Sequence, residues 1–204
     1  LEQQTREVVR MLFEVALNGK RIVKQDIYDV QRYTIRGLHV TKRNPEFNQN
    51  IVYISPTRHA MGMVFLSEVL DNPELYQEML NVLKEYDENI ISINYDSENE
   101  RATGQGVYKI LSKSHKKALP LNVYGDGMKK AILLMSAVVK AKNGVLLLDE
   151  FETAIHTSAM NKTFKWILET CKKLNVQVFM TSHSKEAIDK VLKCSPELTN
   201  EITV

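Results

Sequence analysis

Cysteine is scarce in this chain of 204 residues: Cys171 and Cys194 are the whole complement. Two thiols without metal-ligand spacing build neither a zinc site nor a disulfide framework, and reduced thiols in a cytoplasm are the expectation. Long apolar runs are missing as well. No stretch approaches the ~18–20 apolar residues that cross a bilayer, and no signal peptide is visible, so no membrane association is expected. Charge of one sign is lacking: 27 Lys and Arg stand against 25 Asp and Glu, a net charge of +2. That balance does not mark a dedicated nucleic-acid binder. The basic pieces Lys42-Arg43 and Lys113-Ser114-His115-Lys116-Lys117 are short and read as solvated loop or strand faces. There is no internal repeat, low-complexity stretch or clear linker. What is there is ordinary for a globular protein: 44% hydrophobic residues, eight scattered methionines that read as core filler, and length for one domain or one and a half.

The most informative stretch is Gly144–Glu150, GVLLLDE. Four apolar residues, Val145 to Leu148, fit a strand buried on both faces of a parallel sheet. Asp149 and Glu150 would emerge at its C-terminal end, where open α/β sheets bind ligands. Two acids there suit phosphate chemistry, one for a Mg²⁺ hydration shell and one to orient or deprotonate a water. Taken alone, the same residues fit a core strand ending in a solvated acidic turn. Downstream, Phe164, Ile167, Leu168, Cys171 and Leu174 form a helical stripe within Thr157–Leu174, with Thr157 or Ser158 as its cap and Lys172 and Lys173 at its negative end. Val176–Met180 then reads as a second buried strand, followed by Thr181-Ser182-His183-Ser184 and a helix from about Lys185 to Leu192. Strand, helix, strand, helix makes the two strands parallel neighbours and puts His183 at the same sheet edge as the acid pair.

Upstream, Tyr124-Gly125-Asp126-Gly127 precedes a helix expected over Met128–Lys142, with Asp126 as a plausible N-cap. A helix N-terminus behind glycines favours anions through its free N–H groups and dipole. Lys129 and Lys130 oppose that dipole, a cost that makes sense if an anion sits there. The first half gives organisation rather than chemistry. Glu2–Leu17 reads as a helix stopped by Asn18-Gly19, and Gln31–Lys42 and Asn50–Ile54 as strands. Ser55–His59 reads as a surface loop, within reach of a phosphate through Arg58 and His59. Ala60–Leu70 and Pro73–Tyr86 read as helices, the second capped by Asn72 with Pro73 at its first position. Asn89–Tyr95 and Val107–Ser112 read as strands flanking a polar hairpin loop, Asp96–Gly106.

YGDGMKKA, then GVLLLDEFETAIH, then QVFMTSHSKEAI resembles the C-terminal lobe of an ABC-type ATPase head. More narrowly it resembles prokaryotic "AAA family ATPases" related to the overcoming-lysogenization-defect (OLD) ATPases, with SMC-type heads as more distant relatives. The match covers about residues 120–190. The resemblance implies a P-loop NTPase fold, an α/β lobe with a mostly parallel sheet flanked by helices and an antiparallel hairpin. It implies ATP and Mg²⁺ as ligands. Asp149 would help hold Mg²⁺, Glu150 would be the general base or water-orienting residue, and His183 the switch histidine on the γ-phosphate. Gly125, Asp126 and Gly127 would form the signature turn that addresses the nucleotide of the opposite subunit. Glu152 through His156 would be the D-loop region, with His156 where many ABC proteins carry an acid. Gly125 replaces the usual signature serine and Asp126 a glycine, so the turn offers backbone N–H groups in place of a hydroxyl.

The Walker A loop that such heads need, GxxxxGK[ST], is absent; Gly19-Lys20 is followed by Arg21 and preceded at the first glycine position by Glu14. With Leu1 rather than Met at the start, the expectation is one head fragment over residues 1–204. Residues 1–118 would form a helical and strand region with a hairpin, and residues 119–204 the signature, Walker B and switch-histidine lobe. Walker A would lie on a lobe outside it, and this chain alone should be inactive. Two heads would clamp ATP in a dimer that drives a nuclease or other effector, with DNA dependence open. The alternative is a non-catalytic scaffold lobe for such a partner; a transporter subunit is a third reading, disfavoured by the signature turn.

Overall fold

The computed structural model describes residues 9–17, 20–29, 50–62, 64–97 and 107–204. They fall in two compact units, 1–49 and 50–204. In the first, β1 (Val9–Leu17) pairs antiparallel with β2 (Lys20–Asp29), from Val9 opposite Asp29 to Leu17 opposite Lys20, with a register shift between Val15 and Ala16. This corrects the helix expected to end at Leu17. Val9, Met11, Phe13, Val15 and Leu17 also alternate at period 2, the spacing of a strand face. Asn18-Gly19 between two such runs is a hairpin signal as well as a helix stop. The strand expected over Gln31–Lys42 lies outside the described residues.

The second unit runs β3 (Ile51–Ile54), a 3₁₀ turn (Arg58–Met61), α1 (Ser67–Leu70), α2 (Pro73–Leu83), β4 (Ile90–Asp96), β5 (Val107–Ser112), β6 (Leu119–Pro120), α3 (Asp126–Lys140), β7 (Val145–Leu148), α4 (Thr157–Lys173), β8 (Gln177–Met180) and α5 (Lys185–Cys194). It is an α/β fold. A parallel sheet in the order β3-β7-β8 is accompanied by helices, and β4-β5-β6 form a separate antiparallel sheet. The helix expected over Ala60–Leu70 is only its last turn, α1. Gly62, at φ 65°, ends the 3₁₀ turn in the left-handed region that glycine favours.

α3 is the axis of the core. Ala131 to Met135, Ala137 and Val138 are all fully buried, as an all-round apolar helix requires. The polar break, Ser136, is satisfied: its hydroxyl donates to Leu133 O at 3.0 Å and accepts from Phe65 N at 3.1 Å. On one face of the parallel sheet Val52, Ile54, Leu146 and Leu148 are buried; on the other Ile51, Tyr53 and Phe179 are exposed. β7 is thus buried fully on one face only. Helix starts follow the side chains that can accept N–H groups. Asn72 caps α2 through Leu75 N at 3.2 Å, as the sequence suggests, and Ser184 caps α5 through Ala187 N at 3.2 Å. At α4 the cap is His156 rather than Thr157 or Ser158, its ring accepting from Ser158 N at 3.3 Å. At α3 the cap position is Gly125, without a side-chain bond, and Asp126 is the first helical residue.

Candidate functional site

Leu148 and Met180 are register partners in parallel strands, so the residues after β7 and β8 leave the sheet at one edge. The ladder continues one step, with Thr181 N donating to Leu148 O at 2.9 Å and Asp149 N to Ile54 O at 3.0 Å. Side chains then take over. The Thr181 hydroxyl donates to Asp149 Oδ1 at 2.6 Å and accepts from Glu150 N at 3.0 Å. The Tyr53 hydroxyl donates to Asp149 Oδ2 at 3.3 Å. Asp149 is therefore oriented by hydroxyls from both flanking strands, and one threonine ties it to Glu150.

Glu150 has φ 43°, a left-handed backbone that non-glycine residues rarely adopt and that recurs at functional sites. Its Oε1 lies 3.4 Å from His183 Nε2, and the His183 ring is 87% exposed. The backbone N–H of His183 donates to Glu152 Oε1 at 3.1 Å. Asp149, Glu150, Glu152 and His183 are thus brought together. His156 is engaged as the α4 cap and bonded to Ser158 Oγ at 2.8 Å.

At the start of α3, Gly127 fits closely: a Cβ there would lie 3.0 Å from Ala154 O, on the acidic turn, and 3.5 Å from the Tyr86 ring. A Cβ on Gly125 would meet nothing within 4 Å among the described residues. The two lysines also have internal partners, which offset their cost at the helix start. Lys129 pairs with Asp126 at 2.6 Å, and that bond and charge hold the Asp126 carboxyl below its usual range. Lys130 is fully buried, and its ammonium donates to Pro56 O at 3.2 Å. Burial lowers its pKa most, opposed by the charges of Glu152, Asp149 and Glu150 in that order. A buried cation thus faces the acidic edge.

The Ser55–His59 segment is not a free surface loop. His59 is buried and its ring nitrogen Nδ1 lies 3.0 Å from Pro56 O; burial first, then Lys130, lowers its pKa. Arg58 donates to Tyr53 O at 2.8 Å and lies over the Phe65 ring at 5.2 Å. Sequence reasoning missed Thr181, Tyr53 and Lys130 as parts of the site. Thr181 had a signal, since it follows β8 in the same step as Asp149 follows β7. Lys130 had one too, since it shares a helical stripe with the core residues Leu134 and Val138.

Among the described residues no group of three or more His, Cys, Asp or Glu is arranged to hold a metal, and no helix is long and apolar enough to cross a membrane. An open groove of about 1040 Å³ runs along β8 past Phe179 and Ile202. It reaches the acidic edge at Asp149 and Thr181 but leaves Glu150 and His183 outside, so it does not define the site.

The family described as "AAA domain, putative AbiEii toxin, Type IV TA system" matches residues 26–189. Similar proteins include an ATP/GTP phosphatase of Helicobacter pylori, 32% identical over 135 residues, which cover 65% of this chain and 35% of that protein. An uncharacterized protein of Methanocaldococcus jannaschii is 39% identical over 69 residues, covering 34% of this chain and 60% of the relative. The chain therefore spans about a third of the first relative and about three fifths of the second.

Proposed function

We infer the function from one premise: this chain belongs to the AAA-domain family described as putative AbiEii toxins of type IV toxin–antitoxin systems. From there we propose that it is the Walker B, signature and switch-histidine part of an ABC-type, OLD-like ATPase head that binds and hydrolyses ATP. The observation that carries the reading is the placing of Glu150 and His183 side by side, 3.4 Å apart, next to an Asp149 held by two hydroxyls at a parallel-sheet edge. The H. pylori relative named an ATP/GTP phosphatase supports the same chemistry.

Mg²⁺ fits Asp149: it is a hard oxygen donor, already oriented, and this cation takes one or two carboxylates alongside phosphate oxygens and water. When bound, the ion would neutralise charge on the phosphates. Glu150 orients the attacking water and accepts its proton, and the exposed His183 ring holds the γ-phosphate in line. Catalysis of this kind rests on positioning and charge, which suits an edge whose side chains are already cross-bonded.

The phosphate-binding loop would come from sequence outside these residues. None of the 204 residues forms GxxxxGK[ST]. The half-exposed face with Ile51, Tyr53 and Phe179 also belongs to a parallel sheet, a type usually covered on both faces. Two heads would then sandwich ATP between that loop and the Gly125–Gly127 turn of the other. The clamped dimer would drive a nuclease or other effector in the cytoplasm. The absent loop also favours a second reading, a non-catalytic scaffold lobe for such a partner.

Glu150→Gln in the complete protein decides between them. Mg-ATP binding should persist while turnover falls ~10²–10⁴-fold, the usual general-base contribution. Turnover within about threefold of wild type would remove Glu150 from the chemistry, and absence of ATP binding by the wild-type protein would favour the scaffold.

A further inference from the structure

Glu152 lies three residues beyond Asp149, outside the acid pair, and its two oxygens are used unequally. Oε1 accepts the backbone N–H of His183 at 3.1 Å. Oε2 is buried without a hydrogen-bond partner among the described residues. A buried carboxylate oxygen left unpaired is costly, so this side chain is held in place against a penalty. The bond it makes reaches the one part of the site that is otherwise loosely held. Thr181 ties Asp149 and Glu150 to β8 through its hydroxyl and through its carbonyl, which accepts Phe151 N at 3.1 Å. Those bonds stop two residues short of His183. Beyond Thr181 the turn is braced locally, with Ser184 N donating to Ser182 Oγ at 3.0 Å and Ser182 Oγ to Ser184 O at 3.3 Å. These bonds fix the turn within itself but not against Glu150. The His183 ring has little packing of its own.

We infer that Glu152 is a positioning residue: by accepting the His183 N–H it anchors the backbone from which the imidazole reaches Glu150, so that the ring is presented from one fixed point. The inference rests on the roles proposed above for Glu150 and His183. Glu152 acts through a neighbour and touches no reacting atom. What it needs for this role is an oxygen acceptor at that reach, not a negative charge. The purpose is entropic: a backbone already anchored loses less freedom when the phosphate arrives.

Two variants in the complete protein test it, Glu152→Ala and Glu152→Gln. Glutamine keeps an oxygen at the same reach and alanine does not. The first readout is hydrogen exchange of the His183 amide. It should speed up about tenfold or more in the alanine variant and stay near wild type in the glutamine variant, since the acceptor is lost in one and kept in the other. The second is steady-state ATP hydrolysis. Alanine should lower kcat about tenfold with KM changed less than about twofold, and glutamine should restore kcat to within about threefold of wild type. An unchanged His183 amide in the alanine variant overturns the inference. So does a glutamine variant as impaired as alanine in both readouts, because charge rather than an acceptor would then be required. A wild-type protein without ATPase activity would overturn the functional reading instead, and the exchange measurement would still decide the hold on His183.

Discussion

Gly144→Ala should destabilise the protein far more than its size suggests. A Cβ on Gly144 would lie 2.0 Å from Asn50 O and 2.8 Å from the Asn50 carbonyl carbon, backbone atoms with no rotamer to escape into. Tolerable contact begins near 3.0 Å, so the strands must part by roughly 1 Å. Asn50 O accepts Val145 N at 2.8 Å, the first rung between β3 and β7, and that movement breaks it. Gly144 cannot retreat towards β8, because its carbonyl accepts Gln177 N at 3.0 Å. Asn50 is pinned too, its side-chain amide bonded to Lys140 O. One lost hydrogen bond costs about 1 kcal/mol and overpacking about 1–3, giving about 2–4 kcal/mol together. With a urea slope of about 2 kcal/mol/M, the unfolding midpoint should drop by about 1–2 M. Gly125→Ala is the control: among the described residues nothing lies within 4 Å of a Cβ there, and only the N-cap preference, at most about 1 kcal/mol, is lost. A Gly144→Ala loss below about 0.5 kcal/mol, followed by circular dichroism, would refute the argument.

Other outcomes follow from the same geometry. Thr181→Val removes the hydroxyl that donates to Asp149 and accepts from Glu150; turnover should fall about tenfold while Thr181→Ser keeps it, and equal rates for Val and Ser would dismiss the hydroxyl. Gly127→Val would collide with Ala154 O and Tyr86 in its own chain, so the trans role of the signature turn is better tested at Gly125. Gly125→Asn keeps a favoured cap residue and should leave the urea midpoint in place, yet abolish ATP-driven dimerisation and hydrolysis together. Mixing it with a Walker A lysine variant should restore some activity in mixed dimers; mixed dimers that form, by light scattering, without ATPase above either parent would exclude the turn. Burial pushes the Cys171 thiol up to about 12 and Cys194 up to about 11. At pH 8 both should resist disulfide reagents until the protein unfolds. Unfolded thiols lose their protons near pH ~8.5, while the folded ones keep them to about 11–12, so stability should fall as pH rises through that window. A urea midpoint that rises from pH 9 to 11 would contradict this.

The sequence by itself determined the elements whose pattern is local. GVLLLDE and VQVFM are apolar runs with polar exits, and the helix between them makes the strands parallel, so Asp149, Glu150 and His183 had to leave at one edge. Asn72-Pro73 announced α2 because cap and first-turn preferences are properties of adjacent residues. The tertiary structure decided whatever depends on a partner distant in the chain. Val9–Leu17 carries apolar residues that fit either a helix face or a strand face, and only pairing with Lys20–Asp29 selects the strand. His156, Thr157 and Ser158 are all able to cap, and the position of α4 chose the first. Lys130 reads as a first-turn lysine opposing the helix dipole until the 3₁₀ segment brings Pro56 O to its ammonium. Thr181 meets Glu150 across 31 residues of chain, and Glu152 meets His183 across the same separation. Spacing along the chain says which edge a residue reaches. Which oxygen it meets there is set by strand register and by the left-handed turn at Glu150, and neither is encoded in any short stretch of sequence.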